Sequence, residues 1–113
     1  MRLRHTLATG LGAVALALSA AAPAGAATGE FSYTYDTPGG PRPALLVDPP
    51  SRECVTLPGL ADPRLPAAHS PRNRTDSTAV VFTGPDCTGD HFSLRPRTGH
   101  ASERLKMRSV LFS

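Results

Sequence analysis

The sequence predicts an all-β fold, with short antiparallel strands arranged as a sandwich or barrel in one small domain. Prolines recur every few residues from position 38 to position 71, which disfavours helices because proline lacks an amide hydrogen and clashes with the preceding turn. Short apolar or alternating runs stand between these turn residues. Short strands separated by Pro and Gly are typical of antiparallel sandwiches.

The first predicted strand covers residues 31–35, in which aromatic and polar residues alternate. Because successive side chains of a strand point to opposite faces, Phe31, Tyr33 and Tyr35 share one face. Residues 36–43, with the sequence DTPGGPRP, are predicted as a turn or flexible linker. Residues 99–107 are the one stretch able to hold a helical turn. The other predicted strands are 44–47, 54–57, 79–82, 92–94 and 109–112.

Residues 1–26 have the pattern of an export signal. Arg2 and Arg4 precede an apolar run over 7–22, and Ala24-Gly25-Ala26 supplies the small residues that signal peptidase recognises. We therefore expect a secreted, extracellular protein with no membrane association after cleavage. The expected division is a signal peptide over 1–26, an N-terminal strand and flexible linker over 27–43, and a β domain over 44–113.

The net charge of the full chain, +3, comes partly from this leader. Residues 27–113 keep 10 of the 12 Lys and Arg residues and all 9 Asp and Glu residues, a net charge of +1. No basic block of the kind that binds nucleic acid occurs, so no nucleic-acid partner is expected. The arginines are dispersed, a pattern typical of a solvated surface. They stand at positions 42, 52, 64, 72, 74, 95, 97, 104 and 108.

Cys54 and Cys87 are the only cysteines, and they are predicted to form a disulfide because exported proteins meet an oxidising environment. A domain of this size buries limited apolar area and benefits from a covalent link. Two alternatives remain open from the sequence. One is a free nucleophilic thiol. The other is a metal site built from Cys87, His91, Asp86 and Asp90, although it lacks the second pair of ligands of a structural zinc site.

A partial internal repeat supports a domain of two sheets. Residues 45–73 and 80–112 each contain an apolar run, a turn, a second run that ends near a proline, a variable loop and a segment with serine. Two such units would form two sheets in which each half covers the apolar face of the other.

Residues 79–112 resemble a Greek-key motif of the βγ-crystallin type. Phe82 stands at the first aromatic position, Gly89 at the glycine and Ser109 at the closing serine, whereas Cys87 replaces the second aromatic residue. A folded hairpin needs a glycine with positive φ, and the serine can hydrogen-bond back to that hairpin. The layout also resembles small secreted, disulfide-bonded proteins of actinobacteria with this fold. That group includes metalloproteinase inhibitors and killer-toxin-like proteins, and the resemblance implies a non-catalytic binding protein.

Many relatives of the βγ-crystallin type bind calcium through acidic or amide side chains ahead of the closing serine. Here the corresponding residues before Ser109 include arginine, leucine and lysine, which cannot serve. The one calcium candidate is Asn73, Asp76 and Ser77, where a single carboxylate supplies little charge for such a site. No metal and no other cofactor is therefore expected.

No catalytic motif occurs in the sequence, so we do not expect an enzyme. The leading hypothesis is a monomeric proteinase inhibitor or toxin-like factor whose partner is an extracellular protease. Arg64, Leu65 and Pro66 are the candidate inhibitory loop, because a proline-rich loop loses little entropy on binding and Leu65 can enter an apolar pocket. The alternative is an extracellular or cell-envelope binding module without inhibitory activity, which could use the Phe31, Tyr33 and Tyr35 face.

Overall fold

The computed structural model of the protein describes residues 25–113, so all of the predicted leader except Gly25 and Ala26 lies outside the described residues. Within residues 25–113 the chain forms nine strands, and a 3-10 turn at Pro85–Cys87 is the single helical element. The strands are β1 (Glu30–Thr37), β2 (Gly40–Val47), β3 (Cys54–Thr56), β4 (Ala68–Asn73), β5 (Ala79–Phe82), β6 (His91–Leu94), β7 (Gly99–His100), β8 (Lys106–Met107) and β9 (Ser109–Phe112).

The strands form two antiparallel sheets, which confirms the predicted all-β fold. The first sheet has the order β2-β1-β4-β7, with β8 also paired to β4, and the second has the order β3-β9-β5-β6. The two halves of the chain, β1–β4 and β5–β9, therefore exchange strands. Strand β3 of the first half pairs with β9, and strands β7 and β8 of the second half pair with β4. This order is consistent with two Greek keys, each of which completes the sheet of the other.

The predicted linker over 36–43 is instead most of a hairpin. Strands β1 and β2 pair without interruption from Glu30 opposite Val47 to Thr37 opposite Gly40, so the turn is confined to Pro38 and Gly39. The structural repeat therefore begins at Glu30 and not near Leu45, because β1 and β2 are the counterpart of the β5–β6 hairpin. Proline was misleading here, since Pro41 and Pro43 belong to an edge strand, where proline is tolerated.

The helical turn expected within residues 99–107 is absent from the structure. Gly99 and His100 pair with Asn73 and Arg72, and Lys106 and Met107 pair with the start of β4. The local sequence contains helix-forming residues, but pairing with β4 satisfies the backbone of these residues in extended conformation.

The core lies between the two sheets, and the aromatic face of β1 points into it. Phe31 is fully buried and packs edge-on against Phe112 of β9, with ring centroids 5.4 Å apart. Tyr33 is 5% exposed, and Tyr35 is partly buried against the same core. Burial raises the pKa of the Tyr33 hydroxyl, and the charge of nearby Tyr35 acts in the same direction. The aromatic face is therefore a structural element, not an exposed binding face.

The predicted disulfide is confirmed. The sulfur atoms of Cys54 and Cys87 are 2.09 Å apart and the Cα atoms 6.0 Å apart, so β3 is linked to the 3-10 turn after β5. Neither cysteine is a free thiol, and this excludes the nucleophile and the cysteine metal site. On the chain-entropy model, a link across 33 positions stabilises the fold by roughly 3–4 kcal/mol.

Candidate functional site

The predicted inhibitory residues lie on the long connection between β3 and β4, which we call the braced loop (residues 57–67). Two backbone turns shape it, because the N–H of Leu60 donates to the carbonyl oxygen of Leu57 and the N–H of Leu65 to that of Asp62. Leu57 and Leu60 are buried and anchor its first part, whereas Leu65 is 46% exposed. The loop thus has a fixed base and an exposed apolar tip.

A single arginine holds the inside of this loop. The Nη1 atom of Arg108 donates to the carbonyl oxygens of Leu60 (3.1 Å) and Asp62 (3.0 Å). Its Nη2 atom donates to the carbonyl oxygen of Leu65 and lies 3.5 Å from that of Pro63. Backbone carbonyls bonded to a charged donor are held more firmly than those facing water. Arg108 therefore fixes the backbone conformation of residues 60–65.

Arg108 is itself fixed by the two sheets. It stands between β8 and β9, where its N–H donates to the carbonyl oxygen of Phe82 and its carbonyl oxygen accepts from the N–H of Leu57. The loop is thus tied to the rigid part of the fold through one side chain. Sequence analysis placed Arg108 among solvated arginines, because its carbonyl partners lie 43–48 positions away and carry no recognisable motif.

A second, exposed interaction shapes the tip of the loop. The guanidinium of Arg64 forms an ion pair with the Asp62 carboxylate, with Nη2 and Oδ2 2.9 Å apart, and the backbone N–H of Arg64 donates to the same group. These hydrogen bonds hold the pKa of Asp62 below its ordinary value. Because the pair is solvent-exposed, its effect on global stability is small. Its effect is local: it favours one conformation of the Asp62-Pro63-Arg64 turn.

An apolar groove of about 220 Å³ runs beside the exposed tip. One wall is the braced loop, through residues 58–60, Leu65 and Pro66, and the other is the β1–β2 hairpin, through residues 35–38. Apolar side chains and prolines predominate in this lining, so the groove can accept an apolar side chain of a partner next to Leu65. Two of the three candidate residues, Leu65 and Pro66, thus line a groove that the sequence did not reveal.

A row of three polar side chains ties the hairpin wall of the groove to β4. The Nε2 atom of His69 lies 3.1 Å from Oδ1 of Asp36, and its Nδ1 atom lies 2.9 Å from Oγ of Ser70. A serine hydrolase uses the opposite nitrogens, Nε2 for serine and Nδ1 for aspartate. We therefore assign the row a structural role in fixing the hairpin against β4.

The three motif residues of the second half meet at the folded hairpin after β5. The hydroxyl of Ser109 donates to the carbonyl oxygen of Gly84 (2.6 Å) and accepts from the N–H of Cys87 (2.8 Å). Gly89 has φ +85°, and a Cβ there would lie 2.3 Å from Oγ1 of Thr83. Phe82 ends β5 beside this turn. The predicted hydrogen bonding of the closing serine to its hairpin is present, and its role is structural.

The calcium candidates Asn73, Asp76 and Ser77 serve other contacts in this structure. Asn73 is fully buried, and its Oδ1 atom accepts from both the N–H and the hydroxyl of Thr75. Its amide group donates to three backbone carbonyls, those of Ser77, Leu94 and Arg95. Asp76 is exposed and its Oδ1 accepts from the N–H of Thr28. Asn73 is therefore a core residue that joins β4 to the end of β6, a role that sequence reasoning missed.

Residues 25–113 contain no group of three or more His, Cys, Asp or Glu side chains placed to hold a metal ion. No helix in that range has the length and apolar character to cross a membrane.

Comparison with protein-family models, with curated proteins and with solved structures gave no match. A functional assignment therefore depends on the geometry of the site.

Proposed function

We propose that the protein is exported and acts as an extracellular proteinase inhibitor, with residues 62–66 as the segment that enters the protease. The observation that carries the proposal is the bracing of this loop by Arg108, whose guanidinium contacts the backbone from Leu60 to Leu65. The leader pattern of residues 1–26 and the Cys54–Cys87 disulfide support export, since disulfides persist in oxidising compartments.

A braced loop favours inhibition for a thermodynamic reason. A flexible peptide loses conformational entropy when it binds, at roughly 1–2 kcal/mol for each backbone residue that becomes fixed. Residues 60–65 have already lost that freedom in the free protein, so more of the contact energy remains as affinity. Leu65 presents an exposed apolar side chain, and Pro66 follows it with no backbone N–H to donate. The segment can therefore occupy a protease cleft while resisting rearrangement.

The test compares inhibition constants of matched variants. In Leu65→Ala the apolar contact with the protease is lost, which costs about 2 kcal/mol, or about 30-fold in the inhibition constant. Leu45→Ala is the control, because Leu45 is similarly exposed (54%) but lies on β2. Equal inhibition constants for the Leu65 variant and the unaltered protein would contradict the proposal. Thermal unfolding of both variants checks that the fold is retained.

The alternative, an envelope-binding module that uses the face of Phe31, Tyr33 and Tyr35, loses its proposed site. Two of those rings are buried in the core and the third is partly buried. A binding role of that kind needs another surface.

A further inference from the structure

The structure brings together four arginines that are separate in the sequence. Arg72 and Arg74 stand at or next to β4, and Arg95 and Arg97 follow β6. We call the two stretches that contain them, residues 68–75 and 93–102, the basic surface. All four arginines are exposed. These arginines are exposed, as expected from their dispersed positions, but the fold brings the stretches that carry them together.

Backbone hydrogen bonds hold the two stretches side by side. Arg72 pairs with His100 and Asn73 with Gly99 across β4 and β7. The N–H of Arg97 donates to the carbonyl oxygen of Thr75, and the N–H of Ala101 donates to that of Pro71. Side chains of directly opposed residues lie on the same face of a sheet, so Arg72 and His100 are neighbours there.

A tight turn fixes the position of Arg95 and Arg97. The N–H of Gly99 donates to the carbonyl oxygen of Arg95 (3.1 Å). A Cβ at Gly99 would lie 2.4 Å from the backbone nitrogen of Arg95, so the close approach requires glycine. Arg97 itself has φ +68°, in the left-handed region. The turn thus displays both arginines on a rigid part of the fold.

The two stretches of the basic surface carry an excess of positive charge, although Asp76 and Glu103 directly follow them in the sequence. The basic surface has four arginines and no Asp or Glu residue, a net charge of +4. The rest of residues 27–113 has 6 Lys and Arg residues and 9 Asp and Glu residues, a net charge of −3. Glu30 of β1 lies next to Arg74, because the backbone N–H of Arg74 donates to the backbone carbonyl oxygen of Glu30. Among residues 25–113, the contacts within 4.0 Å between an acidic and a basic side chain are Asp62–Arg64 and Asp36–His69, so none includes these four guanidiniums.

A shallow cleft of about 440 Å³ lies on this surface, lined by Arg95, His100, the hydroxyl residues Ser93 and Thr98, and the backbone of Leu94 and Gly99. Guanidinium groups bind phosphate oxygens through two parallel hydrogen bonds, and hydroxyl groups add further donors. Arg95 lines the cleft, and Arg72 on β4 is paired with His100 of the same lining, so both arginines can contact phosphates of one chain. From this geometry we propose that the basic surface binds a phosphate-bearing polymer of the cell envelope, such as a glycerol-phosphate chain.

Nucleic acid fits this surface less well. Proteins that bind single strands combine basic grooves with several aromatic rings on which successive bases stack. The basic surface contains no Phe, Tyr or Trp, and the exposed ring next to it is the single Phe92. The available groups recognise phosphate oxygens and not bases. An envelope polymer would retain the exported inhibitor close to the cell, through residues that do not overlap the braced loop.

The test measures binding of the purified protein to a glycerol-phosphate polymer, to single-stranded DNA with the same number of phosphates, and to uncharged dextran. The double variant Arg72→Gln/Arg95→Gln is expected to bind the glycerol-phosphate polymer about tenfold more weakly, because two exposed charge contacts are lost. The control, Arg42→Gln/Arg104→Gln, removes the same charge from exposed positions outside the basic surface and should bind like the unaltered protein.

Three results would overturn the proposal. These are absence of binding to the glycerol-phosphate polymer above the dextran level, equal weakening in both double variants, and tighter binding of single-stranded DNA than of the glycerol-phosphate polymer. Thermal unfolding of each variant excludes loss of fold as the cause of weaker binding. The inhibition constant measured on the same double variants should not change, so failure of this proposal and failure of the inhibitor proposal are distinguishable.

Discussion

Ser109 is the residue whose side chain most directly joins the two ends of the second half. Its hydroxyl is fully buried and bonds to both Gly84 and Cys87, residues 22–25 positions earlier in the chain. Loss of this hydroxyl would leave the partly buried N–H of Cys87 and the partly buried carbonyl of Gly84 without this partner. Such a loss costs about 1–3 kcal/mol in protein interiors.

We therefore expect Ser109→Ala to lower the free energy of unfolding by about 2 kcal/mol. Urea denaturation of the purified variant measures this directly. The matched control is Ser93→Ala, because Ser93 is exposed and its hydroxyl makes no hydrogen bond with the described residues. A change of less than about 0.5 kcal/mol at Ser109, similar to that of ordinary surface substitutions, would contradict the assigned role.

Tyr33 gives a prediction about alkaline pH. Burial, assisted by the charge of Tyr35, raises its pKa in the folded state above the ordinary value of 10.0. The unfolded chain therefore releases the phenolic proton first as the pH rises, and the free energy of unfolding falls above about pH 10. The free energy of unfolding of Tyr33→Phe should fall less steeply with pH than that of the unaltered protein above about pH 10. Near neutral pH the two curves of free energy against pH should be parallel. Identical slopes across the whole range would refute this.

At the scale of single residues, the sequence predicted Gly89, Ser109 and both cysteines because each has a specific chemical requirement that a motif can express. It did not predict Arg108 or Asn73. Both satisfy backbone carbonyls of segments that are remote in sequence, and a guanidinium or an amide has the same appearance in a sequence whether it is solvated or buried.

The braced loop is the element on which the proposed function depends. Arg108 reaches four carbonyl oxygens because a planar guanidinium carries five N–H donors in a fixed arrangement. Lysine keeps the positive charge but has three donors on a compact ammonium group, so it cannot contact all four carbonyl oxygens at once. The positive charge and the bracing can therefore be separated by one substitution.

We expect Arg108→Lys to loosen residues 60–65 and to weaken inhibition by about tenfold, since fixing even one additional backbone residue on binding costs about 1–2 kcal/mol. The same variant should be cut within the loop more rapidly by a protease in catalytic amount, which mass spectrometry of the fragments detects. Arg104→Lys, at an exposed position, is the control. Unchanged inhibition and unchanged cleavage in Arg108→Lys would show that the bracing is not needed.

At the scale of elements, the sequence predicted six strands in the right places, misassigned one hairpin and missed the six-residue strand β4. The strands that were predicted correctly either contain an alternating or apolar run of at least four residues or end at a clear turn. The sequence PRP at residues 41–43 obscured β2, because proline indicates a break unless the strand is at a sheet edge. Strands β7 and β8, each of two residues, are too short to produce a periodic pattern.

At the scale of the domain, residues 25–113 form two sheets, and the two halves of this part of the chain exchange strands. The sequence predicted that each half covers the apolar face of the other, and the burial of Phe31, Val81 and Phe112 confirms this. The sequence could not predict which strands of one half join the sheet of the other half, because the short strands β3 and β7 contain too few residues to indicate a pairing partner. In the structure the Cys54–Cys87 disulfide links β3 to the second half, and β7 pairs with β4 at Arg72 and Asn73.

The exchange has a consequence for the two proposed surfaces. Strand β3 leads into the braced loop, whereas β7 carries one side of the basic surface, and both lie in the sheet of the opposite half. The two surfaces are therefore presented by different connections of one rigid domain. The inhibitor proposal and the polymer proposal therefore concern separate surfaces and can be tested independently.

The most direct test of the inhibitor proposal is a stoichiometric titration of the purified protein against proteases of known active concentration. A thermolysin-type metalloprotease, a subtilisin-type protease and a trypsin-type protease represent three kinds of cleft. We predict that activity of at least one falls linearly to an endpoint near one inhibitor per protease. No inhibition of any of them, with the protein intact and folded at the end of the assay, would contradict the proposed function.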